Sequence, residues 1–131
     1  MPILNMKISG QRHDETVDAI AGLLLDLTTN VLGKKRDLTA ITFQFIDAQD
    51  WMIAGTPLSK LRRPSFYLDI KITDETNTKD EKARYMREVF AGMRAILGDV
   101  REESYIYIED VRAAAYGYGG KTQEHRYHQC A

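Results

Sequence analysis

Apolar residues recur along this chain in two rhythms, and the pair of rhythms is written twice. From Ile3 to Ser9, and again from Phe66 to Thr73, apolar and polar side chains alternate loosely, at the period of half-buried strands. Val17, Ile20, Leu24, Leu27 and Val31 then follow at three-to-four spacing, the stripe of an amphipathic helix. Asp14 stands where that helix would be capped, and Gly33 where it would stop. A second stripe of Tyr85, Val89, Met93 and Ile96 opens near Thr78 and stops at Gly98. Ile41, Phe43 and Phe45 alternate in the next segment, as Ile106 and Ile108 do among tyrosines.

These segments define an internal repeat, which decides the fold before any single residue does. Leu32-Gly33 falls on Leu97-Gly98, 65 positions later, and the same offset carries Ile20 onto Tyr85 and Leu24 onto Val89. It also sets Trp51-Met52-Ile53-Ala54-Gly55 against Tyr116-Gly117-Tyr118-Gly119-Gly120. At the start of each half the offset slips to 64, with Asn5 on Asp69, which one inserted residue in the second loop explains. Each unit reads strand, helix, strand, and such a link is expected to cross over right-handed onto a parallel neighbour. The predicted fold class is therefore α/β, with two tandem β-α-β units forming a four-stranded mixed sheet and both helices on one face. The other face needs a cover, which predicts packing of subunits against one another there. A single domain over 1–131 is expected, with repeats at 2–55 and 66–120. Residues 56–65, with Pro57, Pro64 and Arg62-Arg63, suit an exposed link, and 121–131 lack periodicity and suit a tail.

Composition narrows the class. With 44% hydrophobic and 28% charged residues the chain can build a core and a soluble surface. A net charge of −1 gives no electrostatic footprint for nucleic acid or an anionic membrane. Apolar runs such as Leu23-Leu24-Leu25 are far shorter than the roughly 20 residues of a membrane span. The N-terminal pattern is not that of a signal peptide, and the single cysteine, Cys130, fits a reducing compartment, so a cytoplasmic location is expected. His125, His128 and Cys130 cluster near the end, but without a fourth ligand, so no metal site is expected. Gly117 to Gly120 opens no helix, so no nucleotide fingerprint is present and no cofactor is expected.

The candidate chemistry begins at Pro2. Initiator methionine is normally trimmed before a small residue, leaving proline with a free secondary amine. An α-amino group titrates near 7.7–8.0, and an apolar site or a neighbouring cation pushes that value down. Such an amine can serve as a general base near neutrality, or attack a carbonyl. Pro2 runs straight into a strand, so its nitrogen is expected at the end of a sheet. Ten residues on, Arg12 offers a guanidinium that can grip a carboxylate.

Met1-Pro2-Ile3, the Ser9-Gly10-Gln11-Arg12 loop, the acidic helix start Asp14-Glu15 and the closing glycines of both halves resemble the tautomerase superfamily. The first half resembles the short 4-oxalocrotonate tautomerase unit. The fused length is similar to macrophage migration inhibitory factor, malonate semialdehyde decarboxylase and cis-3-chloroacrylic acid dehalogenase. The resemblance implies a cofactor-independent homotrimer that acts on a small carboxylate substrate, with Pro2 as general base and Arg12 as carboxylate binder. It further implies Lys34, Trp51, Tyr105 and Tyr107 as substrate-side residues: the lysine after the helix stop, an aromatic wall, and two phenols able to steady an enolate oxygen. Asp37 lies close to the decarboxylase's aspartate, but Glu102 repeats it in the other half, which suits a structural turn.

The slot equivalent to Pro2 in the second half is Phe66, inside the chain, so only one half can carry amine chemistry. The later-strand arginine of 4-oxalocrotonate tautomerase is replaced by Ala40-Ile41-Thr42, and the paired arginines of the decarboxylase and dehalogenase by Asp74-Glu75-Thr76-Asn77. A monocarboxylate 2-keto acid or enol fits one arginine and several aromatic walls better than a dicarboxylate does. The competing expectations are a Pro2-dependent dehalogenase, hydratase or decarboxylase, and a non-catalytic trimeric binding module.

Overall fold

The two central strands of the sheet, β1 (Ile3–Ser9) and β5 (Phe66–Thr73), run antiparallel, and Asn5 lies directly opposite Asp69. That pair is the one the repeat equates, so a local two-fold axis passes between them. In this computed structural model, which describes residues 2–130, the sheet order is β2-β1-β5-β6. The outer strands β2 (Ala40–Ile46) and β6 (Tyr105–Val111) run parallel to β1 and β5, Ile3 facing Ala40 and Tyr67 facing Tyr105. The two crossover registers are thus the same register, seen twice. Met1, Ala131 and the Cys130 side chain, and with it the His125–His128–Cys130 cluster as a whole, lie outside the described residues.

Helices α1 (Asp14–Asn30) and α3 (Lys79–Leu97) cover one face. Strand alternation sends Leu4, Met6 and Ile8, and Phe66, Leu68, Ile70 and Ile72, beneath them, all at 0–1% exposure. The buried helix positions are Val17, Ile20, Leu24 and Thr28 on α1, and Tyr85, Val89 and Met93, equivalent to the last three, on α3. Tyr85 brings a hydroxyl into this core, and Thr28 Oγ1 lies 2.9 Å from it in a shared hydrogen bond. A buried phenol needs such a partner, and a threonine one turn from the helix end supplies it. Gly92 lets the helices approach, since a Cβ there would lie 2.5 Å from a Leu23 methyl.

The helix starts differ from one another. Asp14 does not cap α1: the cap position is His13, which makes no side-chain bond, and Asp14 is the first helical residue. Its carboxylate there favours the positive end of the helix dipole. At α3, Thr78 accepts from the Glu81 backbone and Glu81 reaches back to the Thr78 N–H, a complete capping box. The loop before α1 spans 10–13 and the loop before α3 spans 74–78, so the slip in offset is one residue in this loop. Glu75, at φ 63°, takes the left-handed conformation that absorbs it.

The repeat runs further than the hydrophobic pattern carries it. Strands β3 (Met52–Ile53) and β4 (Thr56–Pro57) form a tight hairpin through Ala54 and Gly55, both at positive φ. Strands β7 (Gly117–Tyr118) and β8 (Lys121–Thr122) do the same through Gly119 and Gly120, at an offset of 65 throughout. The Leu58 N–H donates to the Trp51 carbonyl at 2.8 Å, and the Gln123 N–H to the Tyr116 carbonyl at 2.9 Å. The segments expected as link and tail thus open with equivalent structure. The first continues into a single turn, α2 (Leu58–Leu61), with Leu58 buried; the second into a longer polar helix, α4 (Gln123–Cys130). Among the described residues no helix is long and apolar enough to cross a membrane.

Candidate active site

Because β1 and β5 are antiparallel, the sheet has two ends of the same build. One end holds the start of β1 and β2 with the finish of β5 and β6; the other holds the reverse. Pro2 lies at the first, its side chain buried and its carbonyl accepting from the Ala40 N–H at 3.2 Å. Phe66 occupies the matching place at the second end and is fully buried. The duplicated slot is therefore filled in both halves.

Lys34 belongs to the Pro2 end. Gly33, at φ 68°, turns the chain after α1, and Lys34 Nζ donates to Thr76 Oγ1 at 2.7 Å, just beyond the finish of β5. Burial pulls its pKa below the ordinary lysine value, against the opposing pull of Glu81 and then Asp110. Asp37 is exposed in a short turn (Arg36–Leu38) between α1 and β2.

Trp51, Tyr105 and Tyr107 gather at the other end. The hairpin after β2 folds Trp51 toward the uncovered face of the sheet, where strand alternation also places Tyr67, Tyr105 and Tyr107. Together with Lys7, Asp50 and Met52 they line an open groove of about 470 Å³. Lys7 Nζ stands 5.5 Å from the centre of the Tyr67 ring. Tyr105 and Tyr107 are 67% and 58% exposed, unusual for large aromatics and a mark of an unfilled or shared surface. Lys7 is five residues along β1 from Pro2, roughly 17 Å at strand rise. One chain therefore does not bring this groove to its own Pro2.

Arg12 also lies at the far end from Pro2, in the loop after β1. It is 57% exposed and pairs with Asp14 at 3.1 Å. Such an exposed pair is weak and easily exchanged for a stronger partner.

Spacing alone did not point to the residues that share a pocket with Lys34. Tyr118, Gln123 and Arg126, from the segment read as an aperiodic tail, line a cavity of about 350 Å³ with Lys34, Lys35, Thr73 and Thr76. Carrying the offset of 65 from Leu58 onto Gln123 would have found this structure, because the tail repeats the link.

No family model matches the sequence, and no curated protein matches it. Solved structures do. The chain is similar to the Q0 fused 4-OT symmetric trimer at 19% identity and a TM-score of 0.78, covering 93% of this chain and 96% of that one. It is similar to Pt0534 inactivated by 2-oxo-3-pentynoate at 12% identity and a TM-score of 0.83, over 95% and 98% of the two chains. A macrophage migration inhibitory factor homologue from Prochlorococcus marinus gives 19% identity and a TM-score of 0.75, over 92% and 97%. These neighbours are tautomerase-superfamily proteins, and this chain has their fold over nearly its whole length.

Proposed function

We propose that this chain is a cofactor-independent keto–enol tautomerase of a small 2-keto or enol carboxylic acid, with Pro2 as its base once Met1 is removed. The observation that carries this reading is the placement of a proline, at position 2, in the buried slot that begins β1 of a tautomerase fold. The Pro2 carbonyl is tied to Ala40, which anchors the residue, and removal of Met1 would leave its nitrogen a secondary amine. In the proposed reaction the nitrogen lone pair accepts a proton from the carbon alpha to the 2-carbonyl. The electrons of that C–H bond become the enol double bond, and the carbonyl oxygen takes up a proton. A phenol donating to that oxygen lowers the barrier as charge develops there.

The residues assigned to substrate divide between the two ends of the sheet, which favours a site completed by a neighbouring subunit in a homotrimer. Pro2 and Lys34 would come from one subunit; Trp51, Tyr105, Tyr107 and Arg12 would come from the next. Trp51 would exclude water, Tyr105 or Tyr107 would support the enolate, and Lys34 and Arg12 would hold the carboxylate. The exposure of both tyrosines in the isolated chain supports this arrangement. The open face of the sheet is the surface such a trimer would cover.

The test uses intact mass, turnover and a covalent probe. Purified protein lacking Met1 is expected to ketonise phenylpyruvate enol, and Pro2→Ala to lose at least about a hundredfold in kcat/KM, the worth of a general base. Pt0534 is inactivated by 2-oxo-3-pentynoate. The same reagent is expected to add as a whole molecule to Pro2, its alkyne bonding the amine nitrogen with no group lost. Met1-free protein that neither turns over phenylpyruvate nor is labelled at Pro2 overturns the reading.

A further inference from the structure

The cavity behind Lys34 holds three cations and no acid. Its walls include Lys34, Lys35 and Arg126, and none of the residues lining it is Asp or Glu. Among the described residues, none of these three cations takes part in an ion pair. Glu81 and Asp110 act on Lys34 only as charges at longer range.

Arg126 is held as if for a ligand. Its Nη2 donates to the Tyr118 carbonyl at 3.0 Å, and its Cζ lies 3.8 Å from the centre of the Tyr118 ring. Gly119, at φ 62°, makes room for it: a Cβ on that residue would lie 2.7 Å from Arg126 Nη2. The Nε is buried without a partner, and so is Gln123 Oε1 beside it in the helix. A buried guanidinium donor left unbonded is costly, and a planar carboxylate matches the guanidinium fork in two bonds. The local two-fold shows that this arrangement belongs to one half of the chain only. The position equivalent to Arg126 in the first half is Leu61, and the slot of Arg12 in the second half holds Thr76 and Asn77.

We propose that Arg126 and Lys34 form the carboxylate-binding subsite of the Pro2 end, with Arg126 as the residue that selects 2-oxo monocarboxylates over neutral carbonyl compounds. This rests on the proposed tautomerase reading for its placement beside Pro2. The short helix α4 thereby supplies the guanidinium that Ala40-Ile41-Thr42 and Asp74-Glu75-Thr76-Asn77 do not. The pocket is at the correct end for this. Leu38 lines it, and two residues later Ala40 bonds the Pro2 carbonyl.

Calorimetric titration of the full chain with phenylpyruvate, and with uncharged phenylacetone as control, tests the assignment. Arg126→Gln is expected to weaken phenylpyruvate binding about tenfold or more, and phenylacetone binding far less. Arg126→Lys is expected to restore only part, because an ammonium is a point charge and not a fork. Gly119→Ala keeps the arginine but displaces its guanidinium, and is expected to weaken phenylpyruvate as Arg126→Gln does. Melting temperatures confirm that each variant is folded. Wild-type protein that binds no phenylpyruvate, or Arg126→Gln that binds it as wild type does, overturns the proposal. So does an equal loss for both ligands. Titration reads binding and not turnover, so the two readings separate. Arg126-dependent binding in Met1-free protein that shows neither turnover nor labelling at Pro2 sustains the subsite and removes the tautomerase reading. Turnover indifferent to Arg126 removes the subsite alone.

Discussion

Replacing Tyr85 with phenylalanine takes one hydroxyl out of the contact between α1 and α3, and its cost should change sign with pH. Tyr85 is 0% exposed, and burial pushes its phenol up to about 12, with the Thr28 hydrogen bond pulling slightly back. The ordinary value is 10.0, so the folded state holds the proton over a window of about two pH units that the unfolded chain does not. A raised pKa contributes stability that is complete below pH 10 and is lost as pH rises toward 12. Two units at about 1.4 kcal/mol each give a loss of about 3 kcal/mol across the window. Below pH 10, Tyr85→Phe removes the hydrogen bond to Thr28 and is expected to cost about 1 kcal/mol. Above the window it is expected to be the more stable protein by about 2 kcal/mol, having no phenol to ionise. The two stability curves should therefore cross between pH 10 and 12. Urea unfolding from pH 8 upward, followed by circular dichroism at one protein concentration, reads both curves. Comparison with the variant cancels the contributions of Lys34 and Lys71, whose shifts have opposite directions. Parallel curves would refute the argument, and would mean that the phenol reaches water or ionises in place without strain.

Two further outcomes follow from the helix starts. Thr78→Ala breaks one arm of the capping box and should cost about 1 kcal/mol, read as a lowered melting temperature; Thr78→Ser should recover most of it. Arg12→Ala removes only an exposed pair with Asp14 and should change stability by less than about 1 kcal/mol, while raising KM for phenylpyruvate if a neighbour's substrate depends on it. A large fall in melting temperature with unchanged KM would assign Arg12 to structure.

The parts of this molecule visible in its sequence are those written in strong periodicity. Of the α3 stripe, Tyr85, Val89 and Met93 are buried as the spacing predicts and Ile96 is partly buried beside them, and the offsets of 64 and 65 for the two strands carry one crossover register onto the other. A spacing of two puts Tyr105 and Tyr107 on one face of β6, and both line the groove with Trp51. Where local chemistry had two solutions, the sequence was less decisive. Asp14 has the side chain of a cap, yet the chain begins the helix with it and leaves His13 at the cap position. Helix α4 leaves no mark in the hydrophobic pattern because Gln123-Glu124-His125-Arg126-Tyr127-His128 has almost no apolar residues, so no period can show. Its start is set by the backbone bond from Gln123 to Tyr116, which only the repeat announces. Spacing does not link Arg126 to Lys34, since 92 positions separate these two residues of one cavity.

The antiparallel meeting of β1 with β5 also bears on how the molecule is made. Each β-α-β unit closes its own ladder, but β1 waits for Phe66–Thr73 before its second edge is paired. At about 5–20 residues per second, the ribosome leaves that edge open for several seconds. During that time, a fully emerged copy from the same message offers a β5 of the right sequence and direction. The link at 56–65 settles the competition by holding the correct partner at an effective concentration on the order of millimolar, well above that of stray copies. Loss of that covalent connection would leave two half-proteins whose matching edges could join across as well as within pairs. In this light the segment around Leu58–Leu61 keeps the halves of one gene product together while the sheet is completed.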